Sequence, residues 1–257
     1  MFLSLISGSS GNASLIKNEN TTILVDCGLS AKRLCELLKS IAVDPCEIDA
    51  LLITHEHSDH ITGAGVMSRR FDIPVYATEK THMAMNIGPI KDYNTKILNP
   101  NEQFEIGKFR ITPFSISHDA ADPVGFTFED RNKKYSIVTD TGIITNSILD
   151  SVSGSDYVML EANHDVDMLM YGEYPFNLKK RIASDIGHMS NDYAAHSAIK
   201  LLENNTKNIM LSHLSNNNNT PEIAYKTVEG ALTKYGAKVG NDINLCVANR
   251  YEVTKFI

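Results

Sequence analysis

The chain has no excess of positive charge, no cysteine framework and no long apolar run, and each absence closes off a class of function. Its formal net charge is −7, from 31 acidic against 24 basic residues. That argues against broad electrostatic binding to nucleic acid, so any polyanion would have to be gripped locally. The four cysteines, Cys27, Cys35, Cys46 and Cys246, show no CxxC pair. No disulfide is expected, and all four read as reduced core thiols of a cytoplasmic protein. Nothing approaches the length of a membrane span. The opening MFLSLISGSSGN lacks a signal peptide's basic region and reads as a first strand and turn. No internal repeat, linker-like tract or compositional break interrupts the 257 residues. The expectation is therefore one domain over 1–257, with no inserted second domain.

What the chain does have is HEHSDH at 55–60, directly after the apolar run Ala50-Leu51-Leu52-Ile53-Thr54. The run reads as a buried strand, and Ile61, Gly63, Ala64, Val66 and Met67 suit a helix start, so the hexapeptide sits at a strand-to-helix turn. On an extended segment His55 and His57 point the same way, while Asp59 and His60 turn toward a neighbouring point. One hexapeptide could therefore serve two metal ions. Imidazole nitrogens suit zinc, and a carboxylate among them lets manganese compete, which leaves the metal open between the two.

Strand-like runs recur along the chain, among them 2–6, 13–17, 22–26, 50–54, 74–77, 109–117, 124–128, 134–139, 157–161, 208–211 and 244–247. Helical stretches are interleaved. Ser30 can cap one with Ala31, Leu34, Leu37, Leu38 and Ile41 as its apolar stripe; Ser190 can cap another that buries Tyr193, Ala194, Ala198, Leu201 and Leu202; Thr220-Pro221-Glu222 starts a third. Alternation of this kind implies an α/β fold of layered sheets covered by helices. Three of the strand runs end in ligand-type residues, His118, Asp140 and His213. A carboxylate can bridge two ions, and five histidines with one aspartate besides it leave room for a water.

With HxHxDH followed in order by His, Asp and His, the chain resembles the metallo-β-lactamase fold superfamily. The resemblance implies a four-layer αββα sandwich holding two divalent ions, zinc or manganese. One would be bound by His55, His57, His118 and Asp140, the other by Asp59, His60, Asp140 and His213. The segments SGSSGNASLI, DCGLSAKRL, LEANHD, GHMSN and LSHLS narrow it to the YycJ/WalJ-type metallo-hydrolases. These are bacterial cytoplasmic proteins regarded as DNA exonucleases, so the implied partner is duplex DNA degraded from its 5′ end. Similarity to the ribonuclease Z branch adds Glu161 and His188 as proton-handling groups, and Asp59 joins them in the catalytic set. His164 and Asp165 would steady the ligands from behind, and Lys180 and Arg181 are candidate phosphate contacts. The same ligands would also serve a glyoxalase II-like thioester hydrolase or a ribonuclease Z-like RNA nuclease. A non-catalytic metal-stabilised module is the reading from a different class.

Overall fold

Short apolar runs bounded by turn residues fold as strands, and the amphipathic stretches between them fold as helices. The computed structural model describes residues 1–131 and 133–256. Its strands belong to two seven-stranded sheets. The chain divides into two compact units, one of Met1–Ser115 with Ala120–Val124 and Asn249–Lys255, the other of Ile116–Asp119 with Gly125–Ala248 and Phe256.

In the first unit β1 (Phe2–Ile6), β2 (Ala13–Lys17) and β3 (Thr22–Val25) form an antiparallel meander, with Leu3 opposite Leu15 and Leu15 opposite Leu24. Helix α1 (Ala31–Ser40) is the crossover that lets β4 (Ala50–Leu52) lie parallel to β3. The Ser30 side chain caps α1 by accepting from Arg33 N, and Ala31, Leu34, Leu37 and Leu38 make its buried stripe. β4 lies between β3 and β5 (Val75–Ala77), parallel to both, which is why its three residues are all apolar instead of alternating. Helices α2 (Ser58–Ile61), α3 (Ala64–Phe71) and α4 (Glu79–Ala84), strand β6 (Thr95–Ile97) and the hairpin β7 (Phe104–Ile106) to β8 (Phe109–Ser115) complete this stretch. Leu3, Leu5, Leu15, Leu24, Leu34 and Leu51 are fully buried in its core. Truncating one such leucine to alanine costs ~2–5 kcal/mol.

In the second unit β9 (Val124–Asp130) and β10 (Lys133–Val138) are antiparallel, and β11 (Tyr157–Glu161), β12 (Asn208–Ser212) and β13 (Asn244–Val247) continue in parallel from β10. The crossovers are α5 (Asn146–Val152), then α6 (Val166–Tyr171), α7 (Phe176–Ile182) and α8 (Asn191–Glu203), then α9 (Pro221–Tyr235). Since β10, β11 and β12 run the same way, Asp140, Glu161 and His213 fall at the carboxyl ends of neighbouring strands. That edge is where open α/β sheets place their ligands. Finally β14 (Thr254–Lys255) returns to the first unit and pairs with β1.

Several expectations shift in detail. Strands β3, β4 and β8 stop at Val25, Leu52 and Ser115, short of the sequence runs, because Asp26, Thr54 and Ser117 make hydrogen bonds in loops. Tyr193 lies 39% exposed on α8 instead of on its buried side, whereas Ala194, Ala198 and Leu201 are buried as expected. Of the cysteines only Cys27 is a core thiol, and burial pushes it up to about 12. Cys46 is exposed and the other two are half-buried. The strands β6, β7 and β14 are two or three residues long, too short to leave a period in the sequence. Among the described residues no helix is long and apolar enough to cross a membrane.

Candidate metal centre

The first unit carries four ligand-type residues on the turn after β4. His55 and His60 are buried, His57 and Asp59 half-buried. His55 Nε2 lies 3.0 Å from His57 Nδ1. Two imidazoles on one tetrahedral zinc hold their nitrogens about 3.3 Å apart, given Zn–N bonds of about 2.0–2.1 Å, so this pair is already close to a chelating separation. His60 joins them, its ring centroid 4.2 Å from that of His55. Its Nδ1 is held at 2.8 Å by Asp26 Oδ2, while Asp26 also accepts from Thr54 N and Thr54 Oγ1, each at 2.9 Å. The proton is thereby fixed on Nδ1 and the lone pair on Nε2, the state a metal requires. Nε2 itself is 3.0 Å from Asn12 Nδ2. Glu56, the hexapeptide's odd member, instead accepts from Ala121 N at 2.7 Å.

The local backbone makes this turn possible. Gly28, in the DCGLS segment, passes so close to Asp59 that a Cβ there would sit 1.5 Å from the Asp59 carbonyl oxygen. Only glycine permits that approach. Asp26 has φ +59, and in the second unit Asp140 and His213 share the same left-handed backbone, each with φ +56. Left-handed non-glycine residues cost energy and cluster at functional sites.

The second unit builds its half from strand ends. Asp140 is buried, with Oδ1 3.4 Å from His213 Nδ1, 3.7 Å from His188 Nδ1 and 3.8 Å from His118 Nε2. Glu161 is fully buried, and its Oε1 accepts from both His188 Nδ1 and His213 Nδ1 at 2.8 Å. Its Oε2 accepts from Thr141 N at 2.8 Å and Met189 N at 3.3 Å. Burial opposes the charge on Glu161, but the two imidazoles outweigh burial and hold its carboxyl below the ordinary glutamate value. His118 gives its Nδ1 to the Gly187 carbonyl at 3.2 Å. His60, His118 and His213 therefore all have Nδ1 engaged by an oxygen and Nε2 as the lone-pair nitrogen. One group of four, Asp140, Glu161, His188 and His213, brings a ligand atom from each to within 4.8 Å of the others. Buried imidazoles of one tautomer beside buried carboxylates fit a divalent cation.

The GHMSN loop places His188. Gly187 packs on α7, where a Cβ would be 2.2 Å from Arg181 O, and His188 N donates to Ile182 O at 2.8 Å. Ser190 then caps α8. Around it the remaining expected residues take distinct positions. Asp165 accepts from Met168 N and caps α6. His164 is 3% exposed and burial pushes it down to about 4, so it is neutral near pH 7; its Nδ1 meets no hydrogen-bond partner among the described residues. Lys179 donates to the carbonyls of Met170 and Gly172, Arg181 Nε donates to Asp119, and Lys180 is exposed. Asp26, Asn12 and Asp119 are the residues that sequence reasoning missed. Asp26 had a signal, since it follows an apolar strand and precedes a glycine within three residues, as Asp140 does.

The chain belongs to the β-lactamase superfamily, whose domain model matches residues 21–213. Its fold is accordingly the αββα sandwich, and it is a metal-dependent hydrolase. Within that superfamily it falls in the YycJ/WalJ group. It is 39% identical over 241 residues to "Exodeoxyribonuclease YycJ" of Bacillus anthracis, covering 93% of this chain and 91% of that protein. It is 40% identical over 245 residues to "Exodeoxyribonuclease WalJ" of Streptococcus pneumoniae, covering 94% and 91%. Among solved structures, the metallo-β-lactamase fold protein YhfI from Bacillus subtilis matches 98% of each chain with TM-score 0.75 at 17% identity, a likeness of fold.

Proposed function

We propose that the protein is a cytoplasmic 5′→3′ DNA exonuclease that hydrolyses phosphodiesters of duplex DNA from the 5′ end, with its two units serving as one catalytic domain. Two divalent ions, zinc or manganese, would be held by His55, His57, His118 and Asp140 and by Asp59, His60, Asp140 and His213, in the order the family uses. When bound, such ions lower the pKa of a water to ~7 and neutralise charge growing on the phosphate. The chain's own residues supply the rest. Asp59 orients the attacking water. Glu161 accepts from His188 Nδ1 and orients the ring, and His188 gives a proton to the leaving sugar oxygen. Lys180 and Arg181 contact the phosphates, with Asp119 setting the direction of the guanidinium.

The observation that carries this reading is the Glu161–His188 hydrogen bond at 2.8 Å. A departing alkoxide needs a proton, whereas a thiolate, with a thiol pKa of about 8.5, leaves without one. A carboxylate-held imidazole therefore favours a phosphodiester over a thioester. The relatives' names point the same way. The test is to incubate purified protein, with zinc or manganese, against end-labelled duplex DNA, single-stranded DNA, RNA and a glutathione thioester. Mononucleotides released from 5′ ends of duplex DNA are expected. Thioester cleavage without nucleotide release would overturn the assignment.

A further inference from the structure

Beside His188 the second unit opens a cleft of about 210 Å³. Val166, Leu169 and Met170 from α6 give it apolar walls, and Tyr193, His164 and Asp185 are among the other residues that line it. Nothing in the mechanism above uses these side chains. The volume falls below the roughly 300–1,000 Å³ of sites for drug-sized ligands, so the cleft suits one ring system and excludes a base pair. Asp185 adds an exposed carboxylate at its edge. A polar edge on a half-apolar cleft suits a ligand that carries both a flat apolar face and polar edge atoms.

The neighbouring surface narrows the choice. In a chain with 7% aromatic residues, Tyr171 is 88% exposed and Phe176 72%, both within the α6–α7 segment that also carries Lys180. Exposed aromatics interleaved with cations are the means by which proteins hold unpaired bases, through stacking and phosphate contact. The position is also chemically consistent. If hydroxide adds to phosphorus and the bond to the 3′-oxygen breaks, that oxygen takes the electron pair and the proton from His188. The leaving oxygen then belongs to the 5′-terminal nucleoside, and the cleft lies on the side of the acid that protonates it.

We infer that this cleft receives the unpaired base of the 5′-terminal nucleotide, so that the enzyme frays one base pair from the duplex before each cut. The inference rests on the exonuclease reading and gives that reading a substrate subsite. Unpairing costs least for a mismatched or single-stranded base, so a terminal mismatch should speed cleavage.

The experiment uses full-length metal-loaded protein and three 5′-phosphorylated duplexes, with a paired, a mismatched or an abasic terminal nucleotide. Bis(p-nitrophenyl) phosphate reads phosphodiester chemistry alone. The mismatched end should be cut roughly tenfold faster than the abasic end, the worth of one stacked base when neither end has to be unpaired, and faster than the paired end, which must first be frayed. In Met170→Trp, which fills the cleft, the mismatched-to-abasic ratio should fall to near one. Equal rates on mismatched and abasic ends in the unaltered protein overturn the inference and leave the exonuclease standing. If neither DNA nor the chromogenic diester is cut, the exonuclease reading fails by itself. Titration of deoxyadenosine 5′-monophosphate against deoxyribose 5-phosphate then decides the cleft: about tenfold tighter binding of the nucleotide supports a nucleoside site, and equal binding removes it.

Discussion

The two units supply donors in opposite ways. The first packs His55, His57, Asp59 and His60 into six consecutive residues, so chain connectivity alone holds them together. The second draws His118, Asp140, Glu161, His188 and His213 from across 96 positions, and parallel pairing of β10, β11 and β12 brings the last residues of those strands side by side. A local site survives small shifts of the sheet behind it. A topological one fails with its register. The second unit spends a fully buried carboxylate, Glu161, on fixing two imidazoles at once, whereas the first uses Asp26 for one.

The sharpest way to break this comparison is at Asp140, the residue proposed to belong to both ions. Asp140→Ala should abolish nucleotide release, by about 10³-fold or more, since several kcal/mol of transition-state stabilisation depends on the ions. Elemental analysis should find less than one ion per chain. Full metal content with retained activity would show that the hexapeptide suffices without the second unit's carboxylate.

Glu161→Gln comes next. It keeps the side chain's shape but removes the charge that holds His188 and His213. A fall of roughly 10²–10⁴-fold in the rate is expected. Leaving buried imidazoles badly paired should also cost stability, about 3–5 kcal/mol, by urea unfolding. A substrate with a good leaving group, such as bis(p-nitrophenyl) phosphate, should lose much less activity than DNA. Equal losses on both would remove His188 from the role of acid.

His164 allows a prediction in which activity plays no part. Burial holds the folded chain's His164 down at about 4, whereas an unfolded chain takes up the proton near 6.5. Between those values the unfolded state binds more protons, so stability rises with pH across the window and is lost as pH falls through it. The loss should reach up to about 3 kcal/mol at the acid end. Urea unfolding at pH 7 and pH 4.5 measures it, and His164→Gln should flatten the difference. An unchanged slope in that variant would mean that His164 does not feel its burial.

How much of this was legible beforehand follows from the same contrast. HEHSDH could be read as it stood, because its donors are neighbours in the chain. His118, Asp140 and His213 each closed an apolar run, a weak signal singly that the ordered resemblance strengthened. Ser30, Ser190 and Thr220 announced their helices, since a cap acts within four residues. What stayed hidden acts across the chain. Asp119 meets Arg181 from 62 positions away, and Asp26 meets His60 from 34. Short helices such as α6 and α7, barely one or two turns long, left no period to find.

Asp26 therefore gives the smallest effect and the finest test, since it asks whether Asp26 does for His60 what Glu161 does for its pair. In Asp26→Asn the side chain can turn its amide nitrogen toward His60 Nδ1. The ring would then favour the tautomer with its proton on Nε2, pointing a hydrogen where a metal needs a lone pair. Because Thr54 N can still donate to the amide oxygen and the Thr54 hydroxyl can accept from the amide nitrogen, the fold should hold. Metal affinity should drop by roughly 10–100-fold, read by competition with a chromogenic chelator. Circular dichroism should be unchanged. The loss should affect one ion of two, so a titration that weakens as a single step identifies the ion His60 binds, whereas equal weakening of both would show that the two sites are coupled through more than Asp140.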